Sequence, residues 1–185
     1  MHNKVIYIAY TDLLPSDQNI AELIKRGNSI FMTSTSSKTR EINAGPHLAY
    51  RCSANHDLAR AANDVVECAE MFGGIDILLY AKWEDMSEEL FLDVKNDEIE
   101  NYLGQIRDFF TLCKCSVPYM LGRKDASILL PIDSDISTLN VLRAIYRGAC
   151  ISASEVLSKE FAEYGLTVKT IQTMNGPLDV IKTLL

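Results

Sequence analysis

The chain has 185 residues, 48% of them hydrophobic, enough apolar material for the sizeable core of one domain, and disorder is excluded on that ground. Acidic residues outnumber basic ones by 25 to 18, and the net charge of −7 disfavours nonspecific binding to nucleic acid or to anionic membranes. No apolar run approaches the roughly 18 residues that would span a bilayer.

The N-terminus "MHNKVIYIAY" enters a strand directly, without the layout of a signal peptide, so a soluble cytoplasmic protein is expected. "KVIYIA" (4–9) is short, apolar and β-branched, as a buried strand is. "PSDQNIAELIKRG" (15–27) follows as a helix, with Pro15 near its start, Asp17 early and Gly27 as its stop. "SIFMTS" is a second strand, "SSKTREINAGP" a polar loop and "HLAYRCS" a third strand. "DLARAANDVVECAEMFGG" has the apolar spacing of an amphipathic helix and stops at a glycine pair.

"IDILLYA" (75–81) is the clearest buried strand. The acidic "WEDMSEEL" reads as a solvated helix start, and a long helix is expected over residues 96 to 121. "ASILLPI" is a fifth strand, "STLNVLRAIYRGACISASEVLSKEFAEYG" a second long helix and "LTVKTIQ" a sixth strand. Regular alternation of strand and helix implies a parallel sheet covered on both faces: an α/β, three-layer αβα architecture in a single domain over residues 1–185. The five cysteines, odd in number and set in apolar segments, suit buried thiols in a reducing compartment. "CKC" at 113–115 lacks the spacing of a metal knuckle and the three histidines lie far from it, so no metal site is expected.

Three segments carry a family resemblance. "FGGIDILLYAKW" resembles the segment of short-chain dehydrogenases/reductases (SDRs) in which a strand ends in Asn-Asn-Ala-Gly. "FTLCKCSVPYM" followed by "ASILLPIDSD" resembles their long helix and the strand that reaches the catalytic Ser. "RGACISASEVLSKEFAEYGLTVKTIQ" resembles their next helix and strand. The resemblance implies a Rossmann-like parallel sheet of about six strands in the order 3-2-1-4-5-6. It also implies that the family's C-terminal lid and seventh strand are missing, since "TMNGPLDVIKTLL" follows the sixth strand. The two long helices are those through which the family dimerises, so a homodimer, or a heterodimer with an SDR-type partner, is expected.

The functional positions depart from the pattern. The family's glycine-rich turn falls at residues 10 to 17, where "YTDLLPSD" has no glycine. Those glycines let the backbone approach a pyrophosphate that sits on a helix N-terminus. Here Leu13, Leu14 and Pro15 take up that volume, and Asp12 and Asp17 bring like charge. "YAKW" replaces Asn-Asn-Ala-Gly, which puts Trp83 where a small residue admits the nicotinamide ribose. No dinucleotide, and no other cofactor, is therefore expected.

Of the family's catalytic set, Ser134 matches the Ser, while one register puts Arg143 and Arg147 at the Tyr and Lys positions and another puts Tyr146 and Cys150 there. Arginine stays protonated at working pH, so Arg143 is no proton donor. The family's active-site Asn aligns near Gln105. Ser134, Tyr146 and Arg147 form the remnant catalytic set, and Arg143, Trp83 and Gln105 are candidate ligand contacts. Halohydrin dehalogenases, which are similar in fold, use Ser, Tyr and Arg without a dinucleotide, but with Tyr and Arg four apart rather than adjacent as at Tyr146 and Arg147. The arginines could grip an anion, or simply pair with Asp133 and Asp135. The leading expectation is a noncatalytic, pseudoenzyme subunit. A cofactor-independent enzyme or small-molecule binder at the former active site and a residual oxidoreductase are the alternatives.

Overall fold

The computed structural model describes residues 3–34, 42–43, 45–52, 58–82, 91–134, 141–174 and 176–185. Trp83, Asp135 and the "WEDMSEEL" stretch lie outside them.

Six strands run parallel: β1 (Val5–Ala9), β2 (Ser29–Ser34), β4 (Leu48–Cys52), β5 (Ile77–Tyr80), β6 (Ser127–Asp133) and β7 (Thr167–Thr173). The sheet order is β3-β4-β2-β1-β5-β6-β7, which for the parallel strands alone is the expected 3-2-1-4-5-6. The added edge strand β3 (Ile42–Asn43) pairs antiparallel with β4, inside a stretch whose polarity reads as loop. Two residues are too few to leave a period-2 signature in the sequence.

β1 is buried along its whole length, which explains why it reads as a continuous apolar run rather than an alternating one. Successive side chains point to opposite faces. Val5, Tyr7 and Ala9 join one core, and Ile6 and Ile8 the other. The first core is covered by α2 (Leu58–Phe72), α3 (Asn96–Met120) and α4 (Val141–Glu160), through Val65, Phe109, Leu112 and Tyr146 among others. The second is covered by α1 (Gln18–Lys25) and α5 (Pro177–Leu184), through Ile20, Leu23, Val180, Ile181 and Leu184.

Two elements correct the sequence reading. α1 begins at Gln18 rather than at Pro15, because the Asp17 carboxylate caps it. "GPLDVIKTLL" is a helix, α5, with Pro177 in its first turn, and it packs on α1 and β7. Its buried face, Val180, Ile181 and Leu184, is short enough to be taken for a loose end when read without its partners.

One polar network ties the amino ends of the strands together. Asp76 accepts the Val5 amide at 2.7 Å and the Arg123 Nε at 2.7 Å, with Arg123 Nη2 at 2.9 Å, and Arg123 Nη1 donates to the Gly73 carbonyl at 2.8 Å. Burial of Asp76 raises its pKa, but the Arg123 hydrogen bonds, the Val5 amide and the nearby positive charge outweigh it, so the carboxyl titrates below its usual range. A depressed folded pKa gives stability that is present above the unfolded value, near 3.9, and is lost as pH falls through the folded one. Asp76→Asn is expected to lower unfolding free energy at neutral pH by roughly 2–3 kcal/mol. Because the variant lacks this group, its gap from wild type should shrink as pH drops below about 4. Urea denaturation across pH measures both, and a gap independent of pH would refute the assignment.

Candidate functional site

In an open parallel sheet, ligands bind beyond the carboxyl ends of the strands, where the strand order reverses. Here that point lies between β1, which leads to β2 and β4 on one side, and β5, which leads to β6 and β7 on the other. The side chains at that point are Tyr10, immediately after β1, and Tyr80, the last residue of β5. Their rings meet edge to face at 5.9 Å, and both are buried. Tyr80 also packs at 5.7 Å on Phe109 and donates its hydroxyl to the Gln105 carbonyl at 3.0 Å. Burial, followed by the neighbouring Tyr146 and the negative Asp108, raises the Tyr80 pKa far above its ordinary value, so the phenol stays a donor.

Tyr10 takes a left-handed backbone, φ 60°, a conformation that favours glycine. The strain is held by its surroundings. The Tyr10 amide donates to Thr33 Oγ1 at 3.1 Å, and the Thr11 amide to the Thr33 carbonyl at 2.8 Å. The turn then closes on itself, as Leu13 N donates to Thr11 Oγ1 at 3.0 Å and Asp17 N to the Leu14 carbonyl at 3.0 Å. The ring of Tyr10 belongs to the core under α2–α4, while Leu13 packs against the core under α1 and α5.

At the start of α1 the Asp17 carboxylate accepts the Asn19 amide at 2.8 Å and the Asn19 side-chain amide at 3.0 Å. This is the N-terminus on which a pyrophosphate would rest, and the chain supplies its own anion there. A dinucleotide would have to displace that carboxylate and would meet its charge. The side chains present at residues 10–17 do not fit a pyrophosphate.

The remaining candidates separate into two groups. At the end of β6, the Ser134 amide donates to the Thr173 carbonyl at 3.0 Å. Both arginines turn to the same residue beside it: Arg143 Nη1 lies 3.7 Å from the Asp133 carboxylate, and Arg147 Nε donates to the Asp133 carbonyl at 3.2 Å. Arg143 thus pairs with the Asp133 carboxylate, and Arg147 bonds the backbone of the same residue. Tyr146, by contrast, is buried and packs at 6.3 Å on Tyr102. Burial pushes the Cys150 thiol up to about 11, partly offset by a hydrogen bond from Tyr146. Ser134 and Arg147 thus gather at the Asp133 terminus, and Tyr146 faces the core. Gln105, on α3, is buried beside Tyr80.

Three features of this region were not singled out from sequence. Tyr10 and Tyr80 each occupy a position at a strand end that periodicity treats as one more apolar residue. The third is an ion pair of Lys82 Nζ with Asp108 Oδ2 at 3.5 Å, both side chains largely buried. Lys82 sits in the "YAKW" that replaces the family's Asn-Asn-Ala-Gly. A charged residue directly after a buried strand was the available signal.

No protein-family model matches the sequence, and no curated protein matches it. Solved structures do match. A short-chain dehydrogenase/reductase from Serratia marcescens has a TM-score of 0.76 at 15% identity, over 92% of this chain and 78% of the other. An SDR described as a glucose/ribitol dehydrogenase from Brucella melitensis has a TM-score of 0.75 at 19% identity, over 92% and 75%. A short-chain oxidoreductase from Pseudomonas aeruginosa, described as containing an atypical catalytic centre, has 0.76 at 15%, over 91% and 69%. At such identities the likeness is one of architecture: the chain has the Rossmann-like SDR fold.

Two expectations follow for the turn. Asp17→Ala should cost about 1 kcal/mol of stability through loss of the cap. Tyr10→Ala should cost about 3 kcal/mol, and Tyr10→Gly roughly 1 kcal/mol less than that, because glycine accepts the positive φ. Denaturant melts rank the variants, and Tyr10→Gly falling below Tyr10→Ala would contradict the strained backbone.

Proposed function

We propose that this chain is an SDR-fold protein without a functional NAD(P) site, a noncatalytic subunit that works by associating through α3 and α4, with itself or with an active SDR. The observation that carries this reading is the β1–α1 turn, where Asp17 holds the helix N-terminus and the Tyr10–Tyr80 pair occupies the switch point. On this reading residues 1–185 act as one Rossmann-like domain.

The association face rests on exposed apolar side chains of the two long helices. Leu103 is 53% exposed and Phe110 45% on α3, and Ile145 is 56% and Val156 61% on α4. Apolar side chains exposed together on neighbouring helices are a mark of interaction sites. Five free cysteines fit a reducing, cytoplasmic setting. Among the described residues no helix is long and apolar enough to cross a membrane, and the charge of −7 argues against nucleic acid.

The dehalogenase-like alternative, with Ser134, Tyr146 and Arg147 as catalytic residues and Arg143, Gln105 and Trp83 as ligand contacts, draws less support. The Tyr146 side chain is engaged with Cys150 and Arg147 with backbone.

The test has two arms. A ligand at 100 times its dissociation constant adds about 2.7 kcal/mol to stability, so millimolar NAD(H) or NADP(H) should leave Tm unchanged, and a clear rise overturns the lost site. The tagged full chain recovered from its native cells should be in a complex of two or more subunits. A strict monomer with no dehydrogenase attached overturns the subunit role.

A further inference from the structure

β7 is the last strand in the sheet order, and among the described residues no strand pairs with its outer edge. Two hydrogen bonds fix which of its backbone groups face that edge. Thr167 N donates to the Ala126 carbonyl and Ser134 N donates to the Thr173 carbonyl, both at 3.0 Å. Residues 167, 169, 171 and 173 therefore point their amides and carbonyls at β6, and Val168, Thr170 and Gln172 point theirs outward.

The outer edge is closed at one end only. Ser158 of α4 accepts the Val168 amide at 2.9 Å and donates its hydroxyl to the Val168 carbonyl. Among the described residues nothing bonds the outward groups of Thr170, which is half-buried, or of Gln172, which is exposed. An edge blunted at its amino half and open at its carboxyl half is a template of limited length.

The side chains beside the gap select what fits it. Lys169, Ile171 and Thr173 share one face of the strand. Ile171 is half-buried against the core under α1 and α5. Lys169 is exposed and has no acidic partner among the described residues. Thr173 Oγ1 lies 3.0 Å from the Asp179 carboxylate, which Lys182 also approaches at 3.4 Å. Along the gap the strip is thus cationic, apolar and anionic, an order that complements itself when reversed.

A second β7 laid antiparallel, with a two-fold axis at Ile171, sets Thr170 opposite the partner's Gln172 and Gln172 opposite the partner's Thr170. Each is a hydrogen-bonded pair that exchanges two bonds, so every open amide and carbonyl is used. Ile171 meets its counterpart in the close, non-hydrogen-bonded position between them, and Lys169 faces the partner's Thr173 with the carboxylate behind it. Sliding the pair toward the amino end would require Val168, whose groups Ser158 holds.

We infer that the outer edge of β7 is a second association surface, at which two copies of this chain join antiparallel into one continuous sheet centred on Ile171. It is independent of the helix-face association proposed above and uses none of its residues.

Sedimentation velocity and cross-linking of the 185-residue chain test it. The wild type is expected to associate at micromolar concentration. Q172P removes an outward amide and none that bonds β6, and should raise the dissociation constant about thirtyfold. K169E sets like charge beside the partner's Asp179 at two symmetry-related places and should raise it about tenfold. In I171C the two Cα atoms stand about 4.5 Å apart, within disulfide reach. Mild oxidation should therefore give a covalent dimer that wild type, with its native cysteines, and I171C/Q172P do not. Lys169 and Gln172 are exposed, so their variants decide the question if I171C does not fold. A monomeric wild type, association indifferent to both Q172P and K169E, or a folded I171C that cross-links no more than wild type would each overturn the inference. Association lost in Leu103→Glu yet unchanged in Q172P and K169E would overturn it and leave the helix-face reading standing. A dimer broken by Q172P whose Tm rises with dinucleotide would uphold it and overturn the lost cofactor site.

Discussion

The bend that follows β1 is fastened to both sides of the sheet at once. Tyr10 drops its ring into the core beneath α2, α3 and α4, and three residues later Leu13 reaches the core beneath α1 and α5. Between them the backbone is held by Thr33 and Thr11, and the Asp17 carboxylate closes the sequence at the first turn of α1. A chain that must pass from one core to the other within a few residues has little freedom left to form a cradle. The left-handed conformation at Tyr10 is the visible cost of that crossing, offset by ring packing and by the amide bonds to Thr33.

The same economy appears at the neighbouring strand ends. In a sheet whose strands are buried on both faces, a side chain at the carboxyl end must either continue the core or turn outward to solvent and ligand. Tyr80 continues the core, and its hydroxyl finds the Gln105 carbonyl rather than a bound molecule. Lys82 is satisfied by Asp108, and the arginines of α4 by Asp133. These polar groups near the switch point are thus paired within the chain.

Apolar side chains are exposed on the outer surface of α3 and α4. Each helix buries one side, through Phe109, Leu112 and Tyr146, and leaves Leu103, Phe110, Ile145 and Val156 toward solvent. A monomer gains nothing from exposing those residues, whereas association removes them from water. The paired polar groups at the strand ends and the exposed apolar side chains of the helices thus lie on different parts of the chain.

Fold class was legible because the evidence for it is redundant. "KVIYIA", "IDILLYA" and "ASILLPI" are strand signals, and the helices between them have apolar periodicity that no other pairing would use. The absence of glycine from residues 10–17, Pro15 and the two aspartates were equally plain, since they are facts of composition at one place. The sequence alone thus determined the alternating α/β order and the glycine-free, acidic composition of that turn. Only the tertiary structure decided that α1 begins at Gln18 under an Asp17 cap rather than at Pro15, that "GPLDVIKTLL" contains a helix laid over the second core, that Tyr10 and Tyr80 meet, and that Asp133 contacts both arginines. The reason is one of range. Capping choice, the pairing of side chains dozens of residues apart and the burial of a short helix depend on neighbours brought by the fold, and a linear pattern carries no record of them.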